Sequence, residues 1–370
     1  MIETTANPLA LAEQLRERVR HAGPLTFHDW MKAALYDPNN GYYCKTGLTK
    51  WGREGDYFTS PERSPLFAAA FARYFARLYD DLGRPSQWTI LEAGAGDGRF
   101  AHGVLQTLQK SFPEVFSATS YVIDEVSLYS RLLGQGRLQA FADRVEFKKL
   151  DDVEMDSGVV FSNELLDAFP VYRVTVQDDQ LQEFYVNVGR DRDFEWLLDE
   201  PSTPRLKQYF LELGVQLGEG QVAEVNLEIE DWLRKVAARM RTGYLVTVDY
   251  GAAAAELYSP TADTQGTLRG FHRHEFVDDL LAHPGEQDIT TTVNWSLVKS
   301  AGKRLGFEVV EFERQDKFLL AAGFLEQLEV ESRQSKGEAE RLRLSTAARE
   351  MILPDGMASH FQVLVQKKTS

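Results

Sequence analysis

The sequence predicts an α/β fold built on a mostly parallel sheet with helices on both faces. Two observations carry this. Seven short apolar runs alternate with helical segments, and the first run leads into a glycine-rich turn that opens a helix. Strands covered on both faces read as continuous apolar runs, because neither face meets water.

The elements follow in chain order. Residues 1–85 read as a mostly helical leader. In residues 8–21, Leu11, Leu15 and Val19 recur every fourth position, a short amphipathic helix ended by Gly23-Pro24. Thr26 can cap a second helix holding Phe27, Trp30, Met31 and Leu35, which stops at the turn cluster Asp37–Gly41. Residues 41–62 are glycine-rich and aromatic and read as an ordered loop, and Pro65 opens a third helix that ends at Gly83. The seven runs are then Gln87–Glu92, Tyr121–Asp124, Val145–Phe147, Val159–Ser162, Gly243–Val248, Phe307–Phe312 and Phe361–Val365. Between the last two, Leu325–Met351 is charged and helix-forming, a solvated face.

Residues 171–242 are too long for an ordinary crossover. Val171–Val176 and Glu183–Val188 alternate in polarity around Asp178-Asp179, the pattern of a β-hairpin, and two helices follow, the second through Trp232 and Leu233. This reads as an α+β insertion capping the substrate side of the sheet, where open α/β sheets bind ligands. The organisation expected is a leader (1–85), the first half of a core (86–170), an inserted cap (171–242) and the second half of the core (243–370).

Composition excludes several classes of function. The chain has 370 residues, with 41 Lys plus Arg against 56 Asp plus Glu, a formal net charge of −15. So acidic a chain is a poor match for a broad phosphate-binding surface, and no nucleic-acid partner is expected. The single cysteine, Cys44, allows no internal disulfide and no cysteine zinc site. His272 and His274 are two apart and share a face only in a strand, so they read as structural or acceptor-side residues, and no metal is expected. No apolar run reaches the length of a membrane span. No signal-type apolar region opens the chain, and Glu3, Glu13 and Glu17 interrupt its basic residues. The expected location is the cytoplasm.

The turn after the first run is Glu92-Ala93-Gly94-Ala95-Gly96-Asp97-Gly98. Glycines there let the backbone turn sharply and pass close to a ligand. The dinucleotide fingerprint G-x-G-x-x-G requires glycine or alanine at position 99, which is Arg99, so that reading fails. The pattern E-x-G-x-G-x-G matches at all its marked positions and resembles the first motif of class I S-adenosylmethionine-dependent methyltransferases. In that family the loop holds the methionine portion of the cofactor, and an acidic side chain after the second strand holds the ribose hydroxyls. The counterpart here is Glu125, just past the end of its strand, with Asp124 as the alternative. A carboxylate can accept both hydroxyl hydrogen bonds.

Further segments occur in order around this loop: Gly23–Phe27, Tyr36–Tyr43, Gly55–Glu62, Asn163–Pro170, Val248–Gly251, Gly266–Gly270 and Pro284–Thr290. Together they resemble the MidA / complex I assembly factor 7 family of class I methyltransferases over nearly the whole chain. The resemblance implies a Rossmann-like seven-stranded sheet, mostly parallel with the last strand antiparallel, and S-adenosylmethionine as cofactor. The family's mitochondrial members are associated with respiratory complex I assembly and described as symmetric dimethylators of an arginine in a complex I subunit. A protein substrate is therefore implied here. The resemblance also implies that Gly55–Glu62 closes over the cofactor, with Thr59 and Ser60 as polar contacts.

The cofactor set read from the sequence is Thr59, Ser60, Glu92, Gly94, Ala95, Gly96, Gly98, Glu125, Asp151, Asp152 and Asn163. Asp151 and Asp152 follow the third strand, where class I enzymes often bind the adenine amino group. After the fourth strand, amino-methyltransferases of nucleic acids and glutamine place (D/N/S)-P-P-(Y/F/W). Here Asn163 is followed by Glu164-Leu165-Leu166, so that reading fails. Glu164 and Asp167 are instead two carboxylates three apart, suited to a cationic guanidinium, and are the expected catalytic pair. Asp249-Tyr250-Gly251 ends the fifth strand. Protein arginine methylation is the leading reading. A small-molecule O- or N-methyltransferase and a non-catalytic assembly factor with the same fold remain open.

Overall fold

The computed structural model describes residues 8–45, 65–191, 193–259, 265–272, 275–335, 337–353 and 357–369. All seven apolar runs form strands of one sheet: β1 (Trp88–Ala93), β2 (Thr119–Asp124), β3 (Val145–Phe147), β4 (Met155–Asn163), β5 (Met240–Ala252), β6 (Phe307–Arg314) and β7 (Phe361–Lys368). Their spatial order is β6-β7-β5-β4-β1-β2-β3. Strands β3, β2, β1, β4 and β5 run parallel, whereas β7 lies antiparallel between β5 and β6. Val293–Asn294 also pairs with the last residues of β5, a bridge too short to leave a sequence pattern. The order reverses beside β1, whose neighbours are β2 and β4. Such a switch point opens a crevice at the carboxyl ends of the strands, and the glycine turn follows β1 there.

The chain divides into two compact units, 1–57 with 166–232 and 251–301, and 58–165 with 233–250 and 302–370. The second unit holds the seven strands. In helix α1 (Pro65–Asp81), Phe67, Phe71 and Phe75 recur every fourth position and so share one face. Phe71 packs on Phe161 of β4 at 5.0 Å between ring centroids, and Phe100 of helix α2 (Arg99–Ser111) stacks on the same ring at 4.2 Å. Fully burying rings of this size contributes about 1.5–3 kcal/mol each. This aromatic layer fixes α2, and with it the turn that precedes it.

The first unit centres on a five-stranded sheet of Leu25–Thr26, Tyr172–Gln177, Gln180–Val188, Phe194–Asp199 and Val222–Val225. The predicted hairpin is present: Asp178 and Asp179 form its two-residue loop with φ of 52° and 57°. Two successive left-handed residues make a type I′ turn, whose twist suits antiparallel strands. Thr26 caps helix Phe27–Tyr36 by accepting the Asp29 N–H at 3.1 Å. Past the hairpin the order is strand, helix Arg205–Leu213, strand, helix Glu228–Arg239, rather than two helices alone. Phe194–Asp199 keeps most of its residues exposed, so its polarity pattern gave no strand signal.

The expected segment boundaries also differ from the compact units. The 1–85 leader is split, since residues 8–45 belong with the inserted sheet and α1 with the seven strands. The 243–370 segment is split too, because 251–301 joins the first unit. The cause is long-range pairing. Leu25 pairs with Val186, Tyr43 hydroxyl donates to Asp288 at 2.5 Å, and His28 bridges to Glu228 at 2.9 Å while stacking on Tyr172. No local composition encodes partners so far apart in the chain.

Candidate functional site

The glycine turn is built as its sequence requires. Gly94, Gly96 and Gly98 have φ of 72°, 55° and 77°, the left-handed region that side chains with a Cβ rarely adopt. Gly98 then stands at the start of α2. The Glu125 carboxylate, half-buried past β2, accepts the Gly96 N–H at 2.8 Å and the Ser127 N–H at 2.8 Å. Asp124 faces elsewhere: it accepts the Leu150 N–H at 2.9 Å, and burial raises its carboxyl. The geometry therefore separates the two acids, and Glu125 is the one on the turn.

Glu92, two residues before Gly94, is 4% exposed and accepts the Tyr121 hydroxyl at 2.7 Å. Burial pushes its carboxyl up to about 8, with Glu125 and Asp97 adding to the rise and the Tyr121 hydrogen bond opposing it. Tyr121 was not read from the sequence, since its pairing with Glu92 depends on β2 lying beside β1.

A pH dependence follows from Glu92. Its folded value is raised, so its contribution to stability is complete below the ordinary value of 4.5 and is lost as pH rises through about 8. Glu92→Gln keeps an acceptor for Tyr121 and removes the ionisation. The variant's thermal midpoint is expected to match wild type near pH 5 and to exceed it increasingly, by roughly several degrees, toward pH 8.5. Parallel melting curves across that range would contradict the assignment.

Beyond β4 the chain turns in a strained way. Glu164 has φ of 50°, and its N–H donates to the Val248 carbonyl at 2.9 Å. A left-handed glutamate costs energy and is held by its surroundings, a feature concentrated at functional sites. Asn163 Nδ2 donates to Glu164 Oε1 at 2.9 Å, while Asn163 Oδ1 is buried without a hydrogen-bond partner among the described residues. Leu165 lies against the turn, its Cδ1 3.0 Å from where a Gly94 Cβ would stand. Thus Asn163 and Glu164 border the glycine turn at the carboxyl ends of β4 and β1.

The other expected residues are placed differently. Asp167 is buried in the first unit, and its carbonyl accepts the Thr291 N–H at 2.9 Å. Asp151 and Asp152 form an exposed turn, and Asp151 pairs with Lys235 at 3.0 Å. Ala95 is buried within the glycine turn. Asp249 is fully buried within β5 and accepts the Tyr250 N–H. His272 stacks on His283 and its Nδ1 meets the Glu286 carbonyl at 2.8 Å. Thr59, Ser60 and His274 lie outside the described residues. Among the described residues, no cluster of three or more His, Cys, Asp or Glu could hold a metal, and no helix is long and apolar enough to cross a membrane.

The residues fit S-adenosylmethionine. The glycine turn lies at the switch point beyond β1, Glu125 offers a carboxylate beside it, and Asn163 Oδ1 is a buried acceptor awaiting a donor. A glycine turn after β1, held by a carboxylate just past the neighbouring strand, is the candidate cofactor site of a methyltransferase-type α/β fold. The chain belongs to the S-adenosyl-L-methionine-dependent methyltransferase family Methyltransf_28, which matches residues 70–313. A COG1565 superfamily member from Burkholderia thailandensis, crystallised with S-adenosyl-homocysteine bound, is 30% identical and superposes with a TM-score of 0.86 over 98% of this chain and 92% of that one. The chain is also similar to proteins named protein arginine methyltransferase NDUFAF7, mitochondrial, or its homolog. The Drosophila melanogaster homolog is 26% identical over 80% of this chain and 71% of that protein. The Danio rerio protein is 23% identical over 95% and 86%. S-adenosylmethionine is the cofactor, and the chain is a methyltransferase by family and by fold.

Proposed function

We propose that this chain methylates an arginine side chain of a protein, with a respiratory complex I subunit or its relative as the first candidate acceptor. The observation that carries the reading is Glu164. Its carboxylate is oriented by Asn163 on a strained backbone beside the glycine turn, the arrangement that suits an acceptor with positive charge. The names of the NDUFAF7 relatives support the same acceptor class.

S-adenosylmethionine, when bound, supplies a methyl group already activated by the positive charge on its sulfur. The chain's own work is to bind and to orient. Glu125 and the glycine turn, with Glu92, Ala95 and Asn163 around them, hold the cofactor. Thr59, Ser60, Asp151 and Asp152 are assigned to the same cofactor from the sequence alone. Guanidinium nitrogen is a poor nucleophile because its lone pair is delocalised. Glu164 would fix the planar guanidinium by charge-assisted hydrogen bonds and draw its charge toward the nitrogens that do not react, and Asp167 is assigned as a second carboxylate from the sequence alone. Neither needs to be a strong base, because the acceptor nitrogen becomes more acidic as the new bond forms.

Transfer of isotopic methyl from labelled S-adenosylmethionine into a lysate tests the class of acceptor. Label is expected in the protein fraction with wild type and not with Gly96→Val. Label confined to small molecules would make the chain a small-molecule methyltransferase, and none in either fraction would favour an assembly factor without catalysis.

A further inference from the structure

We propose that Arg137 is a positioning residue for the cofactor, acting through Asp97 on the glycine turn. The inference rests on that turn being the cofactor site. Helix α3 (Leu128–Arg137) begins just after Glu125 and is capped by Ser127, whose Oγ accepts the Ser130 N–H. Its last residue reaches back to the turn. Arg137 Nε donates to the Asp97 carbonyl at 3.0 Å, and Nη2 donates to Asp97 Oδ2 at 2.7 Å. Asp97 Oδ1 in turn accepts the Arg99 N–H at 3.2 Å, which ties the turn to the first residue of α2.

Segment 125–137 therefore grips the turn at two points. Glu125 takes the Gly96 amide, and Arg137 takes the main-chain oxygen and one carboxylate oxygen of the next residue. The grip is close-packed. A Cβ on Gly98 would lie 3.2 Å from Gly134 Cα and 3.1 Å from Leu138 Cδ1, so α3 rests directly on the turn. The Asp97 carboxylate is largely shielded, with a side-chain exposure of 17% against 35% for Arg137, so this pair is less screened than an open surface pair. The fork is specific to arginine. A lysine ammonium has no second, rigidly placed nitrogen with which to hold a carbonyl and a carboxylate of one residue together. The consequence is that the carboxylate at the ribose side and the three glycines are mounted on one bracket. Releasing Arg137 leaves every cofactor-contacting group in the chain but lets the turn sample other conformations.

The test is calorimetric titration of S-adenosylhomocysteine into wild type, Arg137→Ala, Arg137→Lys, Asp97→Asn and the Arg137→Ala/Asp97→Asn double variant. Unliganded melting temperatures are measured alongside. Arg241→Ala, which breaks the exposed pair with Asp156 elsewhere in the same unit, is the control. Wild-type binding establishes that the cofactor site itself is sound; its absence would remove that premise and the proposal with it. Arg137→Ala is expected to weaken binding about tenfold or more, Arg137→Lys to recover only part of it, and the double variant to be no worse than Arg137→Ala, the non-additivity of a shared contact. The melting temperature should fall no further than in the control, and in turnover the KM for S-adenosylmethionine should rise while kcat holds. Binding by Arg137→Ala within twofold of wild type would overturn the proposal. So would wild-type affinity in Arg137→Lys should the alanine variant fail to fold.

Discussion

Glu164→Gln and Asp167→Asn are each expected to cut single-turnover methyl transfer by roughly 10²-fold or more, the usual scale for a misoriented reaction centre. Both substitutions keep the shape of the side chain and remove its charge. In Glu164→Gln the amide oxygen can still accept from Asn163 Nδ2, so the local hydrogen bond and the left-handed turn are preserved. Affinity for S-adenosylhomocysteine should then stay within about a few-fold of wild type, because orientation of the acceptor is what has been lost. Near-normal turnover in both variants would remove the carboxylates from the mechanism. Loss of cofactor affinity in Glu164→Gln would instead assign Glu164 to the cofactor, together with its neighbour Asn163.

Gly96→Val should abolish cofactor binding while the fold survives. Gly96 has φ of 55°, and its N–H is the one that Glu125 accepts. A β-branched side chain in the left-handed region is strained by about 1–2 kcal/mol, and the backbone relieves this by leaving that conformation. The Glu125 bond and the shape of the turn go with it. The seven-stranded core lies behind the turn and does not depend on it, since the Phe71, Phe100 and Phe161 layer is intact. The expected result is a loss of S-adenosylhomocysteine affinity of roughly 10²-fold or more, with circular dichroism and the melting transition largely kept. Wild-type affinity would place the cofactor elsewhere in the chain.

The parts of this site that were legible in the sequence are those that local physics writes there. Three glycines in seven residues announce left-handed backbone, and continuous apolar runs announce buried parallel strands. Glu125 was legible because its position past a strand end is fixed by the strand. What stayed hidden depends on contacts across the fold. Glu92 finds Tyr121 only because β2 lies beside β1, and Arg137 meets Asp97 only because α3 runs back toward the turn. The left-handed backbone of Glu164 left no trace, since the residue that usually signals it is glycine or asparagine. The pairing of Asp151 with Lys235 was hidden in the same way, since the two stand far apart in the chain. The division of the chain was hidden for the same reason: Leu25, Tyr43 and His28 find partners more than a hundred residues away.

The most direct test of the account is the chemical form of the transferred methyl. Protein labelled by wild type from isotopic S-adenosylmethionine is hydrolysed to amino acids and separated against methylated standards. Label is expected in methylated arginine, and none when Gly96→Val replaces wild type. Label in any other amino acid, or in no amino acid at all, would contradict it.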